Sequence, residues 1–192
     1  MILDKLREAT KQLHEEIEQD NLAEHIISHK ISLADYKLLL LQNYIAYHVT
    51  ETEIAKQLSS FAPSKAKRLE KDLAQLHISR ELVKDFKNVF SCQTEAEAWG
   101  ALYVVEGSAL GGMLIAKNLS ECKNLSEIEV HHFFDGNHKN IAGWKDFCKA
   151  LKKKDFSEKE TKEAIEKAKE TFVFFGEVFN KTKVSSLQTQ QN

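Results

Sequence analysis

Apolar positions recur at intervals of three and four along most of this chain, the spacing of a buried helix face rather than the alternation of a strand. The first segment shows the pattern: Leu3, Leu6, Thr10, Leu13 and Ile17 share one side of a helical wheel, and charges occupy the other. Such periodicity predicts helices near 3–19, 33–58, 64–75, 80–89, 95–119, 142–153 and 158–181. A short helical piece at 22–29 and an irregular stretch over 123–141 complete the map. Three helix starts place a hydroxyl three residues before a carboxylate: Ser32–Asp35, Thr94–Glu97 and Ser157–Glu160. In that arrangement side chain and backbone can satisfy each other's hydrogen bonds. Residues 183–192 read as a frayed, disordered tail, which leaves a single domain over 1–182.

Composition narrows the fold class. Among 192 residues there are one proline, Pro63, and only 7 glycines. Sheet-rich folds need frequent turns built from such residues, so the expectation is an all-α, single-domain multi-helix bundle. The net charge of −2 arises from 27 basic and 29 acidic residues closely interspersed, which is no footprint for nucleic acid. Cys92, Cys122 and Cys148 are odd in number and lack metal-type spacing, which favours a reducing compartment. The first nineteen residues carry charges where a signal peptide needs an apolar core, so a cytoplasmic location is expected. Ala98–Ala116 carries a single charge, Glu106, but holds four of the seven glycines and has no anchoring flanks. It reads as a helix buried inside the domain rather than as a membrane span.

Two constellations carry candidate chemistry. On the first helix, His14 lies at the margin of the apolar face, with Arg7, Lys11 and Glu18 beside it on the polar side. A boundary histidine in a surface ion-pair cluster is one explanation. The other is an axial ligand for a flat apolar cofactor with an acidic edge, for which haem is suited: imidazole binds its iron and cations meet its propionates. Glu18, one turn on, is then placed to accept a hydrogen bond from the second ring nitrogen.

The second constellation is Trp99–Ala116, which carries Gly100, Gly107, Gly111 and Gly112 within a predicted helix. Each costs about 1 kcal/mol relative to alanine, so something offsets the sum. Close helix packing through Gly107 and Gly111, four residues apart, is one possibility. A ligand pressed against bare backbone, across a kink that Ser108 assists by bonding back to the main chain, is the other. Glu106 needs a partner if buried, and a salt bridge to a neighbouring helix is the preferred reading.

Together these segments resemble the haem oxygenase family. Leu6–Glu18 is similar to the family's proximal helix with its iron-ligating histidine, and Leu102–Gly112 to the glycine-rich distal helix of bacterial members. Weaker similarities are Phe133-Phe-Asp-Gly136 followed by Gly143–Phe147, and the final helix from Ala168 through Phe179. The resemblance implies haem held between the first helix and a kinked glycine helix, with haem as both cofactor and substrate. It implies oxidative opening of haem to biliverdin, carbon monoxide and ferrous iron. That reaction takes O2, and its electrons come from a ferredoxin, a flavodoxin or an NAD(P)H reductase. By position, His14 becomes the metal ligand and Glu18 its supporting partner, while Gly107, Ser108, Gly111 and Gly112 lie over the distal face. Arg7, Lys11, Tyr103, Lys149 and Lys153 become propionate-side candidates, and Phe172 and Phe179 line the pocket. Mammalian members carry aspartate where this chain has Ser108, whereas serine is common in bacterial ones.

Other readings are open at this level. A di-iron site needs Glu-x-x-His from two long helices. Only Glu129–His132 fits that spacing, with Asp135–His138 a poor second, and both fall in the irregular stretch. The three cysteines have no setting that suggests thiaminase-type chemistry. A haem carrier or sensor would keep His14 and the cations without needing the glycines, and a helical interaction module would use the glycines for packing alone. The favoured expectation is a monomeric haem-degrading enzyme.

Overall fold

The computed structural model describes residues 1–19, 21–136 and 139–189, with side chains described except at 139–140 and 184–189. Among the described residues eight α-helices make the fold: α1 (Ile2–Gln19), α2 (Ala23–Ile27), α3 (Leu33–Gln57), α4 (Lys65–Gln75), α5 (Glu95–Gly107), α6 (Ala109–Leu119), α7 (Lys139–Lys153) and α8 (Glu158–Thr189). No strand occurs among the described residues. The three hydroxyl starts form as expected. Asp35 N–H donates to Ser32 Oγ (3.0 Å) and Glu97 N–H to Thr94 Oγ1 (3.1 Å). At α8, Glu160 N–H donates to Ser157 Oγ (3.3 Å) while Ser157 N–H donates to Glu160 Oε2 (2.8 Å).

α5 runs through the middle, packed along α8 and against α3 and α7, with α1 lying across α8 and α4 beside α3. Its contact with α8 is close enough to dictate a residue. A Cβ built on Gly100 would lie 2.0 Å from the carbonyl oxygen of Ala164, so only glycine fits there. The two helices meet backbone to backbone at that point.

Several elements differ from the periodicity. The expected helix over 80–89 is a 3-10 turn at Glu81–Asp85. α8 continues to Thr189, past the expected end at 181, and residues 190–192 of the expected tail lie outside the described residues. The expected helix over 95–119 is two helices that meet at Ser108. There the hydroxyl donates to Val105 O (2.8 Å), and α6 starts anew with Gly112 N–H donating to Ser108 O (3.0 Å). By length and composition Glu95–Leu119 is apolar enough to cross a membrane. In this fold the α5 half is buried, but the α6 half leaves Leu110 and Leu114 exposed. Burial therefore holds for most of α5, whereas in α6 only Ala109 and Leu119 are buried.

Candidate functional site

A cavity of about 620 Å³ opens between α1 and the α5–α6 junction. That size suits a ligand of drug-like or cofactor dimensions. Its wall brings together most of the residues singled out by the sequence: Arg7, His14 and Glu18 from α1, Tyr103, Gly107 and Ser108 from the α5 side, Gly111 and Gly112 from α6, and Phe172 and Phe179 from α8.

His14 stands at the rim with half its side chain in solvent. Its Nδ1 lies 3.6 Å from Glu18 Oε2, an ion-pair separation longer than a hydrogen bond, so Glu18 engages this nitrogen electrostatically and Nε2 is the one available to a ligand. The ring meets Phe172 edge to face, with centroids 5.6 Å apart and planes at 82°. That contact holds the imidazole against the bundle without using either nitrogen.

The glycines separate into two kinds. A Cβ on Gly111 or Gly112 would meet nothing within 4 Å, and one on Gly107 would find only the Trp144 ring at 3.8 Å. No helix backbone approaches any of the three, so the packing explanation fails at these positions and is confined to Gly100. Their missing side chains instead widen the cavity. Leu110 and Leu114, both strongly exposed, flank its mouth with apolar surface.

Polar groups on the inner wall come from α3. Asn43 and Tyr47 are buried and line the cavity one helical turn apart. Burial pushes the Tyr47 phenol well above its ordinary range, partly opposed by the neighbouring Ser108 hydroxyl, so the group stays protonated. Asn43 donates to Leu39 O at 2.8 Å, which leaves its carbonyl as the free acceptor. Tyr103 reaches Thr10 Oγ1 at 3.4 Å. Because Thr10 already donates to Leu6 O at 2.8 Å, the phenol is the donor, and it ties α5 to α1.

Three propionate-side candidates do not reach the cavity. Lys11 is exposed and extends toward Glu15 (4.0 Å), Lys149 pairs with Asp146 (3.1 Å), and Lys153 is exposed at the end of α7. For Lys149 and Lys153 the reason is the facing of α7, which turns Trp144 and Phe147 inward and leaves both lysines in water. Arg7 is the cation on the wall. Glu106 pairs with Lys65 of α4 (3.4 Å), the salt bridge to a neighbouring helix that its burial calls for.

The wall also holds residues to which the sequence reading gave no site role: Asn43, Tyr47, Phe133, Phe134, Trp144 and Phe175. Asn43 and Tyr47, at i and i+4, share one face of α3. Phe133 and Phe134 sit in the irregular stretch, where no periodicity assigns a facing. His131 of that stretch is engaged by Tyr36, hydroxyl to Nδ1 at 2.6 Å, and His138 lies outside the described residues. Among the described residues no three His, Cys, Asp or Glu side chains gather as metal ligands.

Comparison with known proteins agrees with this geometry. The family described as Heme oxygenase matches residues 1–181. A heme oxygenase of Xanthomonas campestris pv. campestris (strain 8004) is 35% identical over 82 residues, covering 43% of this chain and 49% of that protein, so the match spans about half of the relative's length. The crystal structure of heme oxygenase-1 from the cyanobacterium Synechocystis sp. PCC6803, in complex with heme, superposes with a TM-score of 0.69 over 99% of this chain and 96% of that one at 18% identity. The NO- and CO-bound heme oxygenase from Neisseria meningitidis gives 0.65 over 95% and 92% at 20% identity. At such identities the two structures speak for the fold. With its family match running from residue 1 to residue 181, this chain belongs to the haem oxygenase family.

Proposed function

We propose that this protein is a haem oxygenase, which binds haem at His14 and opens it oxidatively to biliverdin, carbon monoxide and ferrous iron. The observation that carries this reading is the trio Gly107, Gly111 and Gly112, whose backbone carries no side chain into a cavity that His14 also lines from α1. Side chains at these positions would fill the space that a flat macrocycle needs. When bound, haem supplies the iron that activates O2 and the ring edge that is cut.

The chain's own residues do the rest. His14 would offer Nε2 to the iron, and Glu18, facing Nδ1 across 3.6 Å, would close to a hydrogen bond that favours the tautomer protonated on that nitrogen. A neutral histidine avoids the electron push that a thiolate gives toward O–O cleavage. Arg7 meets a propionate at the rim, and Tyr103 fixes α5 against α1 beside it. Gly107, Gly111 and Gly112 leave the α5–α6 backbone bare, so that a bound ring could lie close against it and the reaction would be steered toward the ring edge. Tyr47, kept neutral by burial, holds a proton beside Ser108, and Asn43 offers an acceptor next to it. Leu110, Leu114, Phe172 and Phe179 exclude bulk water from the ring. Electrons come from a separate ferredoxin, flavodoxin or NAD(P)H reductase, and we expect the enzyme to work as a cytoplasmic monomer.

The test is an absorbance titration of the purified protein with haemin, followed by an electron source in air. A Soret band that is lost in His14→Ala, then decays with growth of a broad red biliverdin absorbance insensitive to catalase, is the expected result. A stable complex that never turns over makes the protein a carrier or sensor instead. No Soret band at all overturns haem binding.

A further inference from the structure

Helix α4 contributes no residue to the cavity wall, yet one polar row on it holds two parts of that wall. Lys65, Arg68 and Asp72 lie at i, i+3 and i+7, a single helix face. Lys65 pairs with Glu106, the residue just before Gly107 at the α5–α6 junction. Arg68 pairs with Asp135 (3.6 Å) and stacks its guanidinium over the Phe133 ring, 5.6 Å from its centroid. Asp72, 3% exposed, accepts from two successive backbone N–H groups, His132 to Oδ1 (2.7 Å) and Phe133 to Oδ2 (2.8 Å).

The row is itself held in register by α3. Glu51, one turn beyond Tyr47, accepts the N–H groups of Ser64, Lys65 and Ala66 at 3.1, 3.0 and 2.9 Å and so caps α4. The segment that Asp72 grips has no regular secondary structure, so its backbone cannot position itself. Its side chains Phe133 and Phe134 line the cavity, and Phe133 packs on Tyr47 with ring centroids 5.5 Å apart. A charge-assisted pair of hydrogen bonds in a buried setting is strong and directional. It is more than a solvated loop needs merely to stay folded.

We infer that α4 is the template of this wall and that Asp72 is a positioning residue: by clamping two consecutive amides it sets where Phe133 and Phe134 stand, and hence how a porphyrin ring is seated. The inference rests on the haem-binding reading above. Asp72→Asn keeps the volume and one acceptor, Arg68→Met loosens the same segment more gently, and Lys71→Ala on the exposed face of α4 is the control.

The experiment reads three quantities on proteins of unchanged far-UV circular dichroism: amide exchange at His132 and Phe133 in the apoprotein, haemin affinity by Soret titration, and Soret-region circular dichroism at saturation. In Asp72→Asn the two amides exchange faster, haemin binds on the order of tenfold more weakly, and the Soret dichroism of the bound form changes, as loss of a supporting partner around a metal site does. Lys71→Ala matches the wild type throughout. A merely structural Asp72 would leave the dichroism of the saturated complex unmoved, and that result overturns the inference. If Asp72→Asn does not fold, Arg68→Met carries the same test, and unaltered dichroism with wild-type affinity again overturns it. A wild-type protein that gives no Soret band sinks the haem reading itself, an outcome separate from a wild type that binds haemin while the variants behave identically.

Discussion

Gly100 of α5 and Ala164 of α8 stand so close that a methyl group on the glycine would lie 2.0 Å from the alanine's carbonyl oxygen. Backbone cannot give way as a flexible side chain can. Gly100→Ala therefore forces the two central helices apart, at a cost of about 3 kcal/mol or more. Gly111→Ala makes the opposite case, since its Cβ meets nothing within 4 Å and the helix gains about 0.5–1 kcal/mol of propensity. Urea melts of the apoprotein should show the first variant weakened and the second slightly stabilised. Haemin titration should show the second with reduced affinity. A Gly111→Ala variant that binds haemin as well as the wild type would argue against a ring lying on this backbone.

Lys65 and Glu106 form a buried pair in which burial lowers the lysine's pKa and the glutamate opposes that shift. Removing one partner leaves an uncompensated charge in the interior, so Glu106→Gln or Lys65→Met alone should cost about 3 kcal/mol. The double variant should recover much of the loss. Additive losses in the double-mutant cycle would show that the two side chains are not coupled.

His131 accepts the Tyr36 hydroxyl at 2.6 Å and is partly buried, which lowers its pKa below the ordinary histidine value. With the folded pKa below the unfolded one, the unfolded state binds the extra proton first as pH falls. Stability is therefore full above about pH 6.5 and declines as pH drops through that value toward the folded pKa. His48, also lowered by burial, adds to the same trend. Denaturation midpoints at pH 7.5 and 5.5, compared between the wild type and His131→Gln, should show a smaller acid loss in the variant. Equal slopes would mean that His131 does not titrate on unfolding.

Cys92 and Cys122 are each 2% exposed, and burial pushes the Cys92 thiol up to about 12. Cys148 is the least buried of the three, at the half-buried side of α7. Burial raises the Cys148 thiol as well, so a thiol reagent should titrate it slowly but ahead of the other two in the native protein, and all three in urea. Rapid reaction of more than one in native buffer would mean that the bundle opens around α5 or α6.

Much of this molecule is legible in local order. The scarcity of Gly and Pro argued against a sheet fold, and the long helices followed from periodicity, three of them from a first hydroxyl as well, because helical hydrogen bonds and caps close within four residues. His14 and Glu18 could be paired for the same reason: one turn of a helix puts them together wherever that helix goes. The junction at Ser108 was readable because its causes, a back-bonding hydroxyl and bare glycines, lie within the segment itself.

What tertiary structure alone decided is which side chains from different helices share a space. Arg7 reaches the cavity while Lys149 and Lys153 do not, since the rotation of α7 depends on seating Trp144 and Phe147, a matter of packing between elements. Gly100 and Gly111 are alike as residues in a helix, yet one faces a neighbouring backbone and the other open space. Asp72 and the amides it holds are separated by sixty residues and more, with no periodicity at the receiving end. Local sequence constrains the turn of the chain a residue belongs to; its partner across the bundle is chosen only when the helices pack.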